Sequence, residues 1–299
     1  MFPRFKSKHD RQSFTVPQSV AIVDGKLSIP KFREGIQINL HRKIDGKILF
    51  ATLSKSTTGK YHVSIICEIE HMPVEKTGSK VGVDTGIKEL AILSDGKKYE
   101  NAKPLRINLK KLKYEQRQLS KKVKGSNSRL KQKSKLAKIH EKVTNIRKDH
   151  LHKVSTDIIK NHDVICIEDL AVKNMMKNHC LAQAFSDVSL GAFYAMLVYK
   201  ADWNDKKIVS IDRFFPSSKT CSVCNYIYQD LTLKERDWTC PSCKANHDRD
   251  INASINILNQ GLNISSVSGT DSDAKQKRSK ALPLGESVTS EAHKALDYG

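Results

Sequence analysis

The chain has 299 residues, enough to bury one large core or two modest ones, and it carries 52 Lys and Arg against 32 Asp and Glu, a formal net charge of +20. That excess of cations selects a polyanionic partner, nucleic acid first, because each neutralised phosphate releases a counterion. No apolar run approaches the roughly 18 residues of a spanning helix, and MFPRFKSKHDRQSF lacks the apolar core of a secretory signal, so membrane and secreted classes are excluded and the expected location is cytoplasmic.

Residues 1–78 alternate apolar and polar positions in short runs, KLSIPKF, GIQINLH, GKILFATLS and YHVSIICEIE, separated by DG, EG, DG and TGK turns. They predict a small antiparallel β-domain. KVGVDTGIKELAILSDGKKYE, residues 80–100, then reads as a three-stranded meander with Asp84 at the tip of its first strand.

From 105 to 160 the apolar residues Leu109, Leu112, Leu119 and Val123, then Ile139, Val143, Ile146, Val154 and Ile158, recur at three-four spacing, broken by KGSNS. The pattern predicts an antiparallel helical hairpin whose second arm, Ser128 to Ile159, would extend roughly 48 Å. Lys110, Lys111, Lys113, Arg117, Lys121, Lys122, Arg129, Lys131 and Lys133 dominate its surface, a long stretch interrupted before Asp149 only by Glu115 and Glu141. A charge run is ordinarily a solvated face, but one of a single sign in so basic a chain is expected to contact phosphates.

DVICIEDL, residues 163–170, reads as a buried strand ending in acids; Leu181–Trp203 reads as a partly buried helix, and KKIVSIDRF as a further strand. After Asn259 the chain turns polar and aperiodic, a pattern that predicts a disordered tail. Internal repeats, a phosphate-binding glycine loop and a GxSxG elbow are all missing from the sequence.

Seven cysteines in a chain of this kind do not suggest a disulfide framework. Cys67 and Cys166 lie in apolar runs and read as small buried side chains. The pairs Cys221/Cys224 and Cys240/Cys243, fifteen residues apart, have the spacing of a four-cysteine zinc site in which two knuckles meet on one ion. Such a site is closed, so the zinc is structural and performs no chemistry.

Chemistry is left to carboxylates at the ends of apolar segments: Asp84 after KVGV, Glu168 after VICI, and Asp248 or Asp250 at the head of INASINIL. Rigidly held acids from separate segments can gather Mg²⁺ or Mn²⁺, and a pair of such ions suits phosphodiester hydrolysis. Asp250 equally suits a helix N-cap, and Asp84 and Glu168 equally suit solvent-facing strand ends, so spacing leaves both readings open.

VGVDTGIKELAILSDG, IEDLAVKNM, SSKTCSVC with CPSC, and HDRDINASINIL, in that order, resemble the signature of the TnpB (OrfB) proteins of bacterial insertion sequences, relatives of the type V CRISPR effector nucleases. The resemblance runs from about residue 1 to 260 and includes RKDHLHKVS. It implies an α/β fold: an RNase H-like (RuvC) nuclease domain with helical-hairpin and zinc-ribbon insertions, preceded by a partial antiparallel β-domain. The implied division is a partial β-barrel of the wedge or OB-like kind at 1–78, a RuvC-like nuclease at 79–214 with the basic hairpin at 105–160, a zinc ribbon at 215–246, the last nuclease helix at 247–262 and a disordered tail at 263–299.

The resemblance makes Asp84, Glu168 and Asp250 the catalytic Mg²⁺ ligands, with Asp248 and Asp169 as neighbours. Its implied activity is RNA-guided cleavage of DNA, a transposon-end RNA supplying recognition by pairing. Two departures stand out. Met1-Phe2-Pro3-Arg4-Phe5-Lys6 resembles a stretch that is internal in the family, so the chain is expected to start late and to lack part of a recognition lobe. Asn225 follows Cys224 where glycine is common. The competing expectation is a relative that binds DNA or RNA as a transposition accessory or regulator without cutting.

Overall fold

The computed structural model describes residues 12–267, except Leu233 and the side chains of Lys173 and Val267. The expectations for the first residues and for the tail beyond 267 lie outside the described residues. Two compact units result, one of residues up to Pro73 with Val123–Lys142, the other of Val74–Lys122 with the residues from Val143 on.

In the first unit two strands precede the named runs, β1 (Ser13–Val16) and β2 (Ala21–Val23), and the runs themselves give β3 (Lys26–Ile29), β4 (Phe32–Gln37), β5 (Lys47–Lys55) and β6 (Tyr61–Glu68). They make two three-stranded antiparallel sheets, ordered β1-β5-β6 and β2-β3-β4. Asp24 and Gly25 join β2 to β3 with φ of 49° and 72°, the paired left-handed conformation that a tight hairpin demands and that Asp-Gly supplies with little strain. Cys67, expected to be buried, is only partly so.

The second unit is built on β7 (Lys80–Asp84), β8 (Glu89–Leu93) and β9 (Lys98–Glu100), the predicted meander, followed by helix α1 (Pro104–Ser120). Helix α2 (Asn127–Asn161) runs through both units. Then come β10 (Val164–Glu168), α3 (Val172–Met175), α4 (Ala182–Val188), α5 (Leu190–Trp203), β11 (Lys207–Ile211), β12 (Asp237–Thr239), β13 (Asn246–Asp248) and α6 (Arg249–Val267). The central sheet is ordered β11-β10-β7-β8-β9, with β7, β10 and β11 parallel and β8 and β9 antiparallel. That is the RNase H-like arrangement.

The parallel strands read as continuous apolar runs because both faces are covered. Val81, Val83, Ile165 and Ile167 pack with Leu151, Val154 and Ile158 of α2 and with Phe193, Met196 and Leu197 of α5. The alternate positions face α6, where Cys166 and Val209 meet Ile257. Contact there is close. A Cβ on Gly82 of β7 would stand 1.9 Å from the Ser254 carbonyl oxygen, and one on Gly261 of α6 would stand 2.4 Å from Cys166 Sγ. One glycine on the sheet and one on the helix let α6 lie against β7 and β10.

Two elements depart from expectation. The helix expected over Leu181–Trp203 is two helices, broken at Ser189 with φ 56° and ψ 50°. Just before the break, buried Asp187 accepts from the backbone N–H groups of Leu105 (2.9 Å) and Arg106 (3.0 Å), and Arg147 donates to its carbonyl. α1 has no acid of its own in its first turn, so Asp187 caps it from another element, a tertiary demand that helical periodicity does not register. The last helix, expected to end at 262 with a disordered tail from 263, continues to Val267 because Gly261 packs on Cys166 rather than ending the helix.

Candidate metal centre

Cys221, Cys224, Cys240 and Cys243 converge, their sulfurs all within 4.8 Å of one another. Cys221 Sγ lies 3.6 Å from Cys243 Sγ, and Cys224 Sγ lies 3.6 Å from Cys240 Sγ, close to the roughly 3.8 Å edge of a tetrahedron with 2.3 Å zinc–sulfur bonds. The two knuckles repeat the same backbone bonds. In the first, Asn225 N–H donates to Cys221 O (2.9 Å) and Cys221 N–H to Tyr226 O (2.8 Å); in the second, Lys244 donates to Cys240 O (3.0 Å) and Cys240 to Ala245 O (2.8 Å). Each requires a left-handed residue after its second cysteine, and Asn225 (φ 60°) and Lys244 (φ 62°) take that place, so the missing glycine is tolerated. The four thiols therefore form a cluster suited to structural zinc.

Around it Cys221, Leu231, Trp238 and Cys240 make a satellite core too small to hold a fold unaided. His247 extends the cluster: its Nε2 lies 3.1 Å from Cys221 Sγ, and its ring packs 4.8 Å from that of Trp238. Burial lowers its pKa, and its Nε2 is within hydrogen-bonding reach of that sulfur.

The three acids come from the tip of β7, the tip of β10 and the first turn of α6. β7 and β10 are adjacent and parallel, so Asp84 and Glu168 emerge at the same edge. Burial, then the charges of Glu168 and Asp250, push the pKa of Asp84 from 3.8 up to about 7. Glu168 is also raised by burial, against a hydrogen bond from Ser217 Oγ at 2.6 Å. Asp250 accepts from Arg236 at 2.7 and 3.1 Å and from Arg249 at 3.2 and 3.3 Å. Asp84 thus lies in the field of both other acids, but among the described residues only the four cysteines bring their ligand atoms close enough together to form a metal-ready group.

Asp248, open as an alternative to Asp250, does different work. Its Oδ1 accepts from the N–H groups of Asp250 (3.0 Å) and Ile251 (3.1 Å), capping α6, while Oδ2 takes Lys98 Nζ at 2.6 Å. The cap is thus Asp248, and the Asp250 carboxylate is held instead by Arg236 and Arg249. Asp169 pairs with Arg213.

The basic residues lie along two elements. Lys110, Lys111, Lys113 and Arg117 are on α1, and Lys121 and Lys122 follow it; Arg129, Lys131 and Lys133 open α2. All are exposed except Lys122 and Arg129, which are partly buried. Lys110, Lys113 and Arg117 share one face of α1 by their spacing.

Several neighbours of the acids escape a reading by motif. Tyr194 donates to or accepts from Thr85 Oγ1 at 2.7 Å, and its pKa is raised by burial and by the Glu168 and Asp84 charges. Asn252 and Asn256, buried in α6, both donate to Thr220 O, at 2.7 and 2.6 Å. Their i, i+4 spacing on an otherwise apolar helix face was the available signal.

An RNase H-like sheet with acids at two adjacent strand tips, a third acid opening the last helix and a four-cysteine ribbon between β11 and that helix defines a RuvC-like architecture. Comparison with known proteins agrees. The family described as "Probable transposase" (OrfB of IS605) matches residues 64–179, and "Cas12f1-like, TNB domain" matches residues 191–257. A Streptomyces pristinaespiralis protein named "Putative RNA-guided DNA endonuclease" is 40% identical over 265 residues, 87% of this chain and 66% of its own. "Putative RNA-guided DNA endonuclease InsQ" of Escherichia coli K12 is 34% identical over 278 residues, 87% of this chain and 68% of its own. A solved Cas12f1–sgRNA–target DNA complex aligns at 16% identity and a TM-score of 0.49, over 71% of this chain and 45% of that one. The chain belongs to the TnpB/OrfB family. It spans about two thirds of the length of these two bacterial relatives. No helix among the described residues is long and apolar enough to cross a membrane.

Proposed function

We propose that the chain is a transposon-encoded, RNA-guided, metal-dependent DNA endonuclease that hydrolyses phosphodiester bonds. The observation that carries this reading is the placement of Asp84 beside Glu168 on adjacent parallel strands and in the field of both Glu168 and Asp250, acids from three segments far apart in sequence. Mg²⁺ or Mn²⁺ held by these three would supply Lewis-acid activation of a water and stabilisation of the departing oxygen. The residues themselves supply position: β7 and β10 hold Asp84 and Glu168 at one edge, and α6, capped by Asp248, holds Asp250 within reach of their charges. Arg236 and Arg249 offset part of the charge on Asp250.

Zinc at the four cysteines is structural. The exposed cations of α1 and the start of α2 are assigned to phosphates of DNA or guide RNA, and RNA guidance follows the names of the bacterial relatives. The division of the chain into a β-domain at 1–78, a nuclease at 79–214 and 247–262 and a ribbon at 215–246 belongs to the same reading.

The test is Asp84→Ala in a cleavage assay with the transposon-end RNA and a matching DNA. Cutting should fall at least a thousandfold while DNA binding changes less than threefold. Undiminished cutting removes the assignment; a wild-type chain that binds but never cuts would instead be an accessory binder.

A further inference from the structure

The first zinc knuckle touches the carboxylate centre through a short series of hydrogen bonds. Ser217, buried in the loop between β11 and Cys221, donates its hydroxyl to Glu168 Oε1 at 2.6 Å. The carbonyl of the same residue accepts from Asn256 Nδ2 of α6 at 2.8 Å. Asn256 and Asn252 both hold the carbonyl of Thr220, and Asn252 Oδ1 accepts from Ser222 N–H at 2.9 Å, so the two asparagines grip the residues on either side of Cys221. The same helix carries Asp250 in its first turn, just ahead of Asn252.

We propose that Ser217 is a positioning residue: locked to α6 by Asn256, it fixes the rotamer of Glu168 relative to Asp250, which makes the zinc knuckle part of the scaffold of the carboxylate centre. The physical argument is rigidity. A glutamate has three rotatable bonds and loses entropy at each when it is ordered, and a short bond from the hydroxyl of a residue whose backbone carbonyl is held by a buried amide removes that freedom before a cation arrives. The bond engages Oε1 of Glu168.

This inference rests on the proposed carboxylate metal site, and the test separates the two. Mn²⁺ binding to the zinc-loaded full chain is titrated by electron paramagnetic resonance for wild type, Ser217→Ala and Ser217→Thr, with zinc content and melting temperature measured alongside. The expected result is at least a tenfold weaker half-saturation for Ser217→Ala, recovery to within threefold in Ser217→Thr, which keeps the hydroxyl, and one zinc per chain throughout. Should the alanine variant not fold, Ser217→Cys, similar in size and a poor donor, takes its place with the same expectation. Wild-type binding with Mn²⁺ affinity unchanged in the variant lacking the hydroxyl overturns the positioning role alone, as does a threonine variant as weak as the alanine one. A wild-type chain that takes up no Mn²⁺ overturns the carboxylate site and the inference with it.

Discussion

Asp84 is the residue at which fold and chemistry pull against each other. Its carboxyl is driven up to about 7, first by burial and then by two neighbouring negative charges. Because the folded value lies above the unfolded one, the fold keeps its full stability below about pH 4 and loses part of it as pH rises toward 7. In buffer without divalent cations, the stability difference between Asp84→Asn and wild type should therefore be smallest near pH 4, about half developed at pH 5.5, and favour the variant by about 2 kcal/mol at pH 8.5, once solvent screening of a partly exposed group is allowed for. Urea melts of the two proteins at each pH read this directly, and zinc cancels in the difference. A difference that stays flat across the range would mean that neither burial nor the neighbouring charges raise the Asp84 carboxyl. Saturating Mg²⁺ should reverse the order, since a cation on the three carboxylates stabilises the wild type by mass action.

Among elements, α6 decides the most. Asp248 caps it, and the helix presents Asp250 from its first turn, holds the zinc knuckle with Asn252 and Asn256, and closes on the sheet at Gly82 and Gly261. Added bulk at Gly82 meets backbone, the Ser254 carbonyl and the Leu258 nitrogen at 2.6 Å, which no rotamer change relieves. Gly82→Ala is thus expected to cost about 3 kcal/mol of stability by denaturant unfolding, at the upper end of ordinary overpacking, and to weaken Mn²⁺ uptake by displacing Asp250. An alanine tolerated within about 0.5 kcal/mol would show that α6 can ride higher on β7 without loss.

For the whole molecule the governing quantity is charge. A net +20 concentrated in part along α1 and the start of α2 makes association with nucleic acid steeply salt-dependent. Replacing Lys110, Lys113 and Arg117, exposed and on one face, by glutamine should reduce the slope of log affinity against log salt by about 2 to 3, near 0.7 to 0.9 for each phosphate that is no longer neutralised. Filter binding from about 50 to 300 mM salt would measure it, and an unchanged slope would place the phosphates elsewhere on the protein.

What was legible in the sequence was whatever short-range pattern encodes. Period-two runs marked strands of the first unit, CxxC spacing marked the zinc ligands, and KVGV and VICI announced strands covered on both faces. The choice of Asp250 over Asp248 was not legible in spacing, since two aspartates one residue apart suit a cap equally well; resemblance favoured one, and the hydrogen bonds of α6 assign the cap to the other. Nor were the break at Ser189, the service of Asp187 to a helix some eighty residues earlier, or the grip of Ser217 on Glu168. The reason is the same in each case. Periodicity reports which residues a segment buries, whereas a polar side chain's partner depends on which distant element the folded chain brings within about 3 Å of it.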